Sequence, residues 1–172
     1  MEKMSQLRAI PLNELVLDPA RLYRDAWGLL TAGTREGFNS MTVSWGCFGE
    51  LWGKPVTQVF VRNSRYTYEF MDKSEYFTVC FFEKKMRPQL LTLGSRSGRD
   101  MDKMNASGFT PVFFSHGIAY EEAVLCLVCR KLYAHNFSEG NFYDKEVFQE
   151  IYGEGGFHRE FIAEVEKAYV RA

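Results

Sequence analysis

No stretch of this sequence approaches the roughly eighteen consecutive apolar residues that a membrane-spanning helix needs, so no such helix is expected. The first nineteen residues scatter Glu2, Lys3, Arg8, Glu14 and Asp18 along their length and hold no apolar block of the kind a secretory signal carries. A cytoplasmic protein is therefore expected. The formal net charge of −1 leaves no overall field to gather nucleic acid or an anionic membrane, and neither is expected as a partner. Neither G-x-G-x-x-G nor G-x-x-x-x-G-K occurs, which disfavours a doubly wound nucleotide-binding fold. Histidine is scarce, at three residues, and of the four cysteines only Cys126 and Cys129 have C-x-x-C spacing. These two sit in AVLCLVCRKLY, which reads as a buried strand, and residues three apart on a strand face opposite sides. Neither a zinc site nor a disulfide is expected from them, and Cys47, Cys80, Cys126 and Cys129 are read as structural thiols. No repeat, low-complexity tract or linker divides the chain, so residues 1–172 are expected to form one domain.

Aromatic side chains, by contrast, are abundant at 16%, which favours sheet structure and either flat-ligand pockets or subunit contacts. One stretch, Asn39 to Thr67, concentrates two unusual patterns. Its first half alternates strictly: Met41, Val43 and Trp45 fall on one face of an extended strand, and Ser40, Thr42 and Ser44 on the other. A row of short hydroxyls predicts a face that meets a partner needing small hydrogen-bonding groups. The β-branched run Val56 to Val61 then leads into Arg62, Asn63, Ser64, Arg65, Tyr66 and Thr67, where a strand gives way to a helix. Guanidinium forks, hydroxyls and the free N–H groups of a helix start together predict a cradle for a terminal phosphate.

The remaining chain reads in order as follows. A lead-in strand covers Leu7 to Ile10, and a strand over Ala26 to Thr34 turns at Arg35–Gly37 into the Asn39 strand. Gly46 to Pro55, rich in glycine, reads as a loop or bulged connection. A helix from Ser64 to Lys73 is expected with Ser64 as its cap, then a strand buried on both faces over Tyr76 to Phe82. Glu83 to Leu93 has helical spacing ended by Gly94, and a polar, basic loop from Ser95 to Arg99 precedes a short helix capped by Asp100 and carrying Lys103. Phe109 to Phe114 is read as extended and Ala123 to His135 as a long final strand. Beyond Asn141 the spacing predicts two helices, the second through Phe161, Ile162, Val165, Ala168 and Tyr169, separated by Gly153, Gly155 and Gly156. Short strands with non-alternating helices make the expected fold class mainly β with peripheral helices, an antiparallel barrel.

Taken together, N-x-M-T-x-S-W, V-R-x-S-R-Y-T, a buried strand, S-G-R-D-x-D-K and a C-R-K-L-Y strand occur in an order that resembles the flavin reductase-like family, in particular its flavoredoxin-like branch, over residues 20 to 170. The resemblance implies a split β-barrel of the FMN-binding type and a homodimer holding FMN near the subunit interface. It implies that Asn39, Ser40, Met41, Thr42, Val43, Ser44 and Trp45 run beside the isoalloxazine ring, and that Arg62, Ser64, Arg65, Tyr66 and Thr67 hold the phosphate. The matching S-G-R-D-x-D-K segment adds Ser97, Gly98, Arg99 and Lys103 as flavin contacts. The activity it implies is an NAD(P)H:flavin oxidoreductase, with NADH or NADPH as electron donor and a small molecule or a protein as acceptor. The flavin would carry the redox chemistry, so no catalytic residue of the chain is nominated. An FMN electron carrier without NAD(P)H turnover would have the same sequence features, and a barrel repurposed to bind another ligand is a third possibility. An oxidase of the pyridoxamine phosphate type is disfavoured by the motif order. Of His116, His135 and His158, all weighted towards structural roles, His158 is the one whose Gly-rich approach would admit a nicotinamide.

Overall fold

The structure, a computed structural model, describes residues 7–172. In chain order the elements are β1 (Leu7–Ile10), α1 (Pro19–Arg21), β2 (Gly28–Thr34), β3 (Gly37–Val43), β4 (Gly46–Leu51), β5 (Lys54–Arg62), α2 (Tyr66–Lys73) and β6 (Tyr76–Phe82). They continue with α3 (Arg87–Ser95), α4 (Lys103–Ser107), β7 (Pro111–Phe114), β8 (Gly117–Tyr120), β9 (Ala123–Asn136), α5 (Lys145–Tyr152) and β10 (His158–Arg171). An antiparallel sheet runs β3-β2-β6-β9-β10-β5-β4, and β1 pairs with the end of β10 beyond β5. The sheet curls into a barrel whose terminal strands, β3 and β4, are not paired with each other, so the wall is split between them, and the end of β5 from Phe60 to Arg62 extends past β4. This is the split barrel of mainly β architecture that the sequence predicts.

Alternation explains why the central strands read as continuous apolar runs. Leu30, Val79 and Leu127 point into the barrel with Val59, Val61 and Phe161, while their neighbours Leu29, Cys80 and Val128 point outwards. The outward side is not solvent: Leu90 and Leu93 of α3, Phe109 and the β7–β8 hairpin cover it. Strands β2, β6 and β9 are thus buried on both faces. The two C-x-x-C sulfurs obey the same rule, Cys129 lying inside the barrel and Cys126 outside it beside Cys80.

Several expectations need correction. The segment Phe161–Tyr169 is strand, within β10, not helix. Its inward residues are Phe161, Ala163 and Val165, then Ala168 and Val170, because the pairing to β9 skips Glu166 between Val165 and Lys167. That bulge adds one residue to the period of two, and the resulting spacing of four and then three imitates a helical stripe. Gly46–Pro55 is not a loop but the β4–β5 hairpin. Leu51 pairs with Lys54 across the two-residue turn Trp52–Gly53, both at positive φ (58° and 71°), as a twisted primed turn requires. Helix α2 is preceded by Arg65 rather than capped by Ser64. Asp102, not Asp100, caps α4, accepting from the Met104 and Asn105 amides at 3.0 and 3.1 Å. Gly94 lies inside α3 instead of ending it. Ala26 and Trp27 precede β2, and Ser44 and Trp45 lie past the end of β3.

Candidate functional site

Between β3 and the end of β5 that extends past β4, the split opens into a cleft of about 640 Å³. One wall is the edge of β3, from Asn39 through Met41, Thr42 and Val43 to Ser44 and Trp45. Opposite it stand Phe60 and Arg62 of β5 and His158, which pairs with Arg62 as β10 begins. Ser64, Arg65, Tyr66 and Thr67, and the last turn of α3 with Ser97, Asp100 and Lys103, complete the lining and meet where Arg65 bonds to Gly94 O. The unpaired edge of the barrel thus leaves the space, and the β5–α2 and α3–α4 connections line it.

Its electrostatics are cationic in a chain of net charge −1. Arg62, Arg65, Arg96 and Lys103 line the cleft against a single carboxylate, Asp100. The two guanidinium groups at the β5–α2 connection bond to backbone carbonyls instead of acids: Arg62 Nη2 to Ile151 O at 3.4 Å and Arg65 Nη1 to Gly94 O at 3.0 Å. No described carboxylate neutralises either one, so both retain donors for an anion. Helix α2 starts here with no side-chain cap, and although the Tyr68 amide bonds to Arg65 O at 2.9 Å, the two amides before it are left as further donors. Thr67, 1% exposed, accepts from Asn39 Nδ2 at 2.7 Å, which ties the helix start to β3.

Lys103 is 7% exposed, and its ammonium donates to Ser40 O at 2.7 Å and Leu93 O at 2.8 Å. Burial, reinforced by the nearby Arg65 charge, pulls its pKa down to about 8. Behind it, the hydroxyls of Thr31, Ser40 and Tyr120 form a closed triangle, with Ser40 Oγ 2.6 Å from Tyr120 Oη and 2.9 Å from Thr31 Oγ1. Across the cleft, burial and the charges of Arg62 and Arg65 push His158 down to about 4, so it is neutral near pH 7. Its Nδ1 lies 2.8 Å from the Tyr152 hydroxyl, and its ring centroid is 5.1 Å from that of Trp45.

The cleft therefore brings together Asn39, Met41, Thr42, Val43, Ser44, Trp45, Arg62, Ser64, Arg65, Tyr66, Thr67, Ser97 and Lys103. Ser40, Gly98 and Arg99 lie outside its lining. The Ser40 hydroxyl belongs to the buried triangle, and Thr42 donates to Leu90 O, so α3 covers much of the hydroxyl ladder. Gly98 packs on Asn39, where any Cβ would collide with Oδ1. Arg99 pairs with Glu69 and lies 4.6 Å over the Tyr66 ring. Phe60, Gly94, Asp100 and the supporting Tyr152 were not anticipated from the sequence. Only Phe60 carried a local signal, since it alternates with the buried Val59 and Val61. Among the described residues, no group of three or more His, Cys, Asp or Glu could hold a metal ion, and no helix is long and apolar enough to cross a membrane.

Solved structures share this architecture. A flavoredoxin from Methanosarcina acetivorans superposes with a TM-score of 0.67 at 22% identity, covering 84% of this chain and 68% of that one. An FMN-binding domain of a flavin reductases-like enzyme from Shewanella baltica gives 0.65 at 20% identity over 96% and 77% of the two chains. For an FMN-binding protein from Thermus thermophilus with bound 1-cyclohex-2-enone the values are 0.68, 19%, 95% and 80%. At these identities the likeness establishes the fold. No curated protein shows significant sequence similarity to this chain. The model of the flavin reductase like domain matches residues 21–172, and the chain belongs to that family.

Proposed function

We propose that the cleft binds FMN and that the protein is an NAD(P)H:flavin oxidoreductase, working as a homodimer and passing electrons to a small-molecule or protein acceptor. The observation that carries this reading is the carboxylate-poor cradle. Arg62 and Arg65, held only by backbone carbonyls, flank Ser64, Thr67 and an uncapped helix start, a donor set that fits a phosphate dianion. The β3 edge from Thr42 to Trp45 supplies neutral groups beside it, as the rim of a planar ring system needs. When bound, FMN would accept hydride from the nicotinamide. The task of this chain's residues is binding, orientation and charge: the two arginines fix the phosphate, β3 sets the ring against the barrel, and Lys103 adds positive charge. That the similar structures include FMN-binding proteins and a flavoredoxin supports FMN, and the flavoredoxin keeps an electron-carrier reading in view. Exposed Trp45, 45% accessible at the cleft, and Trp52, 59% accessible at the turn of the β4–β5 hairpin, support a subunit contact, which sedimentation equilibrium would test by returning the mass of a dimer.

The deciding experiment loads the purified protein with FMN, removes the excess, and follows the flavin absorbance anaerobically with NADH and then NADPH. Retained flavin that bleaches rapidly with either nucleotide meets the expectation. Retained flavin that neither bleaches contradicts the reductase reading in favour of a carrier, and failure to bind FMN at all contradicts both.

A further inference from the structure

Helix α5 contributes nothing to the lining of the cleft, yet two residues that do line it lean on this helix. Arg62 reaches Ile151 O and lies 6.0 Å from the Tyr152 ring centroid, and His158 Nδ1 meets the Tyr152 hydroxyl at 2.8 Å. The helix is itself firmly mounted. Asp144 caps its start, and Tyr152 packs among Phe137, Phe142, Phe148 and Phe157, the neighbouring rings of this satellite cluster lying 5.3 to 6.2 Å apart.

The bond between Tyr152 and His158 has two possible directions, and burial decides between them. Tyr152 is 4% exposed, and His158 is its hydroxyl's hydrogen-bond partner among the described residues. Were Nδ1–H the donor, the phenolic proton would be buried without an acceptor, which is unfavourable. With the phenol as donor, both groups are satisfied and the single ring proton sits on Nε2. Nε2 has no described partner and is not among the buried unpaired atoms, so it opens to the cleft that His158 lines. We propose that Tyr152 is a positioning residue whose hydroxyl donates to His158 Nδ1, holding the imidazole as the neutral Nε2–H tautomer that offers a donor, beside Trp45, to a carbonyl oxygen on a planar ligand. Charge does not disturb the arrangement near neutral pH. Burial, with the charges of Arg62 and Arg65, keeps the imidazole deprotonated, and burial holds the Tyr152 phenol above its ordinary value. The planar-ligand half rests on the reading of the cleft as a flavin site, whereas the tautomer half does not.

The test is a long-range 1H–15N correlation spectrum of the uniformly 15N-labelled, flavin-free protein near pH 7, with His158 assigned by His158→Gln. The expected pattern is a pyridine-type Nδ1 and a pyrrole-type Nε2. In Tyr152→Phe the expected result is a shift to a tautomer mixture with the thermal midpoint recorded alongside. Because the wild-type spectrum alone reads the tautomer, the test survives a variant that fails to fold. Nicotinamide should move the Nε2 resonance, and 3-methylpyridine, which lacks the carboxamide, should not. A pyrrole-type Nδ1 in the wild type, or an unchanged tautomer in folded Tyr152→Phe, overturns the positioning role, and equal shifts from both probes overturn the carbonyl preference. If the tautomer is as stated but FMN does not bind, the flavin reading fails while the Tyr152 role stands.

Discussion

Lys103 shows how one buried charge can serve both fold and ligand. Its two carbonyl acceptors bind the α4 start to β3 and to the end of α3, but no described carboxylate balances it. With its pKa lowered to about 8, the unliganded protein loses this charge as pH rises through that value. A bound phosphate, dianionic above about pH 7, favours the charged form and raises the pKa in the complex. Affinity for FMN is therefore predicted to be full between about pH 7 and 8 and to fall above it, whereas Lys103→Met should bind more weakly with no such decline up to about pH 9. Flavin fluorescence titrations at several pH values measure this, and an unchanged wild-type affinity across the range would contradict it. Gly98 has a different constraint. A methyl group there meets Asn39 Oδ1, and displacing Asn39 breaks its bond to Thr67, so Gly98→Ala should lose about 1–3 kcal/mol in denaturant unfolding and weaken FMN binding. The sequence showed the basic and hydroxyl-bearing residues at this scale. It did not show that the Ser40 hydroxyl turns into a buried triangle with Thr31 and Tyr120, because that depends on a partner eighty residues away.

At the scale of elements, alternating and continuous apolar runs were legible wherever the period stayed regular, as in β3, β5 and β6. The period failed in β10. One extra residue, Glu166, shifts the inward phase so that Phe161, Val165 and Ala168 acquire helical spacing, and only the pairing with β9 and β5 reveals a strand. Glycines likewise made a hairpin resemble a loop at Gly46–Gly53. The bulge yields a sharp prediction. Glu166→Ala removes a partly exposed ion pair with Arg130 and should cost no more than about 1 kcal/mol. Deleting Glu166 alone restores the period of two and leaves Lys167 outward and Ala168 and Val170 inward, whereas deleting Glu166 and Lys167 together moves Ala168 and Val170 outwards and should cost several kcal/mol or prevent folding. Thermal unfolding monitored by circular dichroism compares the two deletions, and similar midpoints would show that the inward phase of β10 is not what holds the strand in register.

For the whole molecule, the split in the barrel and the charge on its rim belong to one design. Leaving β3 and β4 unpaired provides a cleft, and the connections that bridge the gap deliver four cationic side chains against Asp100. The fold class was readable from the sequence because strand signals are local, and the resemblance located most of the cleft. The supporting helix α5 was not readable as part of the site, since it acts only through Arg62 and His158. The central claim is that this cradle holds the flavin by its phosphate, and equilibrium binding of FMN against riboflavin tests it most directly. Charge-assisted hydrogen bonds of about 1.5–3 kcal/mol predict that wild-type protein prefers FMN by at least roughly tenfold, and that Arg65→Ala erases most of that preference while leaving riboflavin affinity unchanged. Equal affinity for the two flavins, or a preference that survives in Arg65→Ala, would contradict the account.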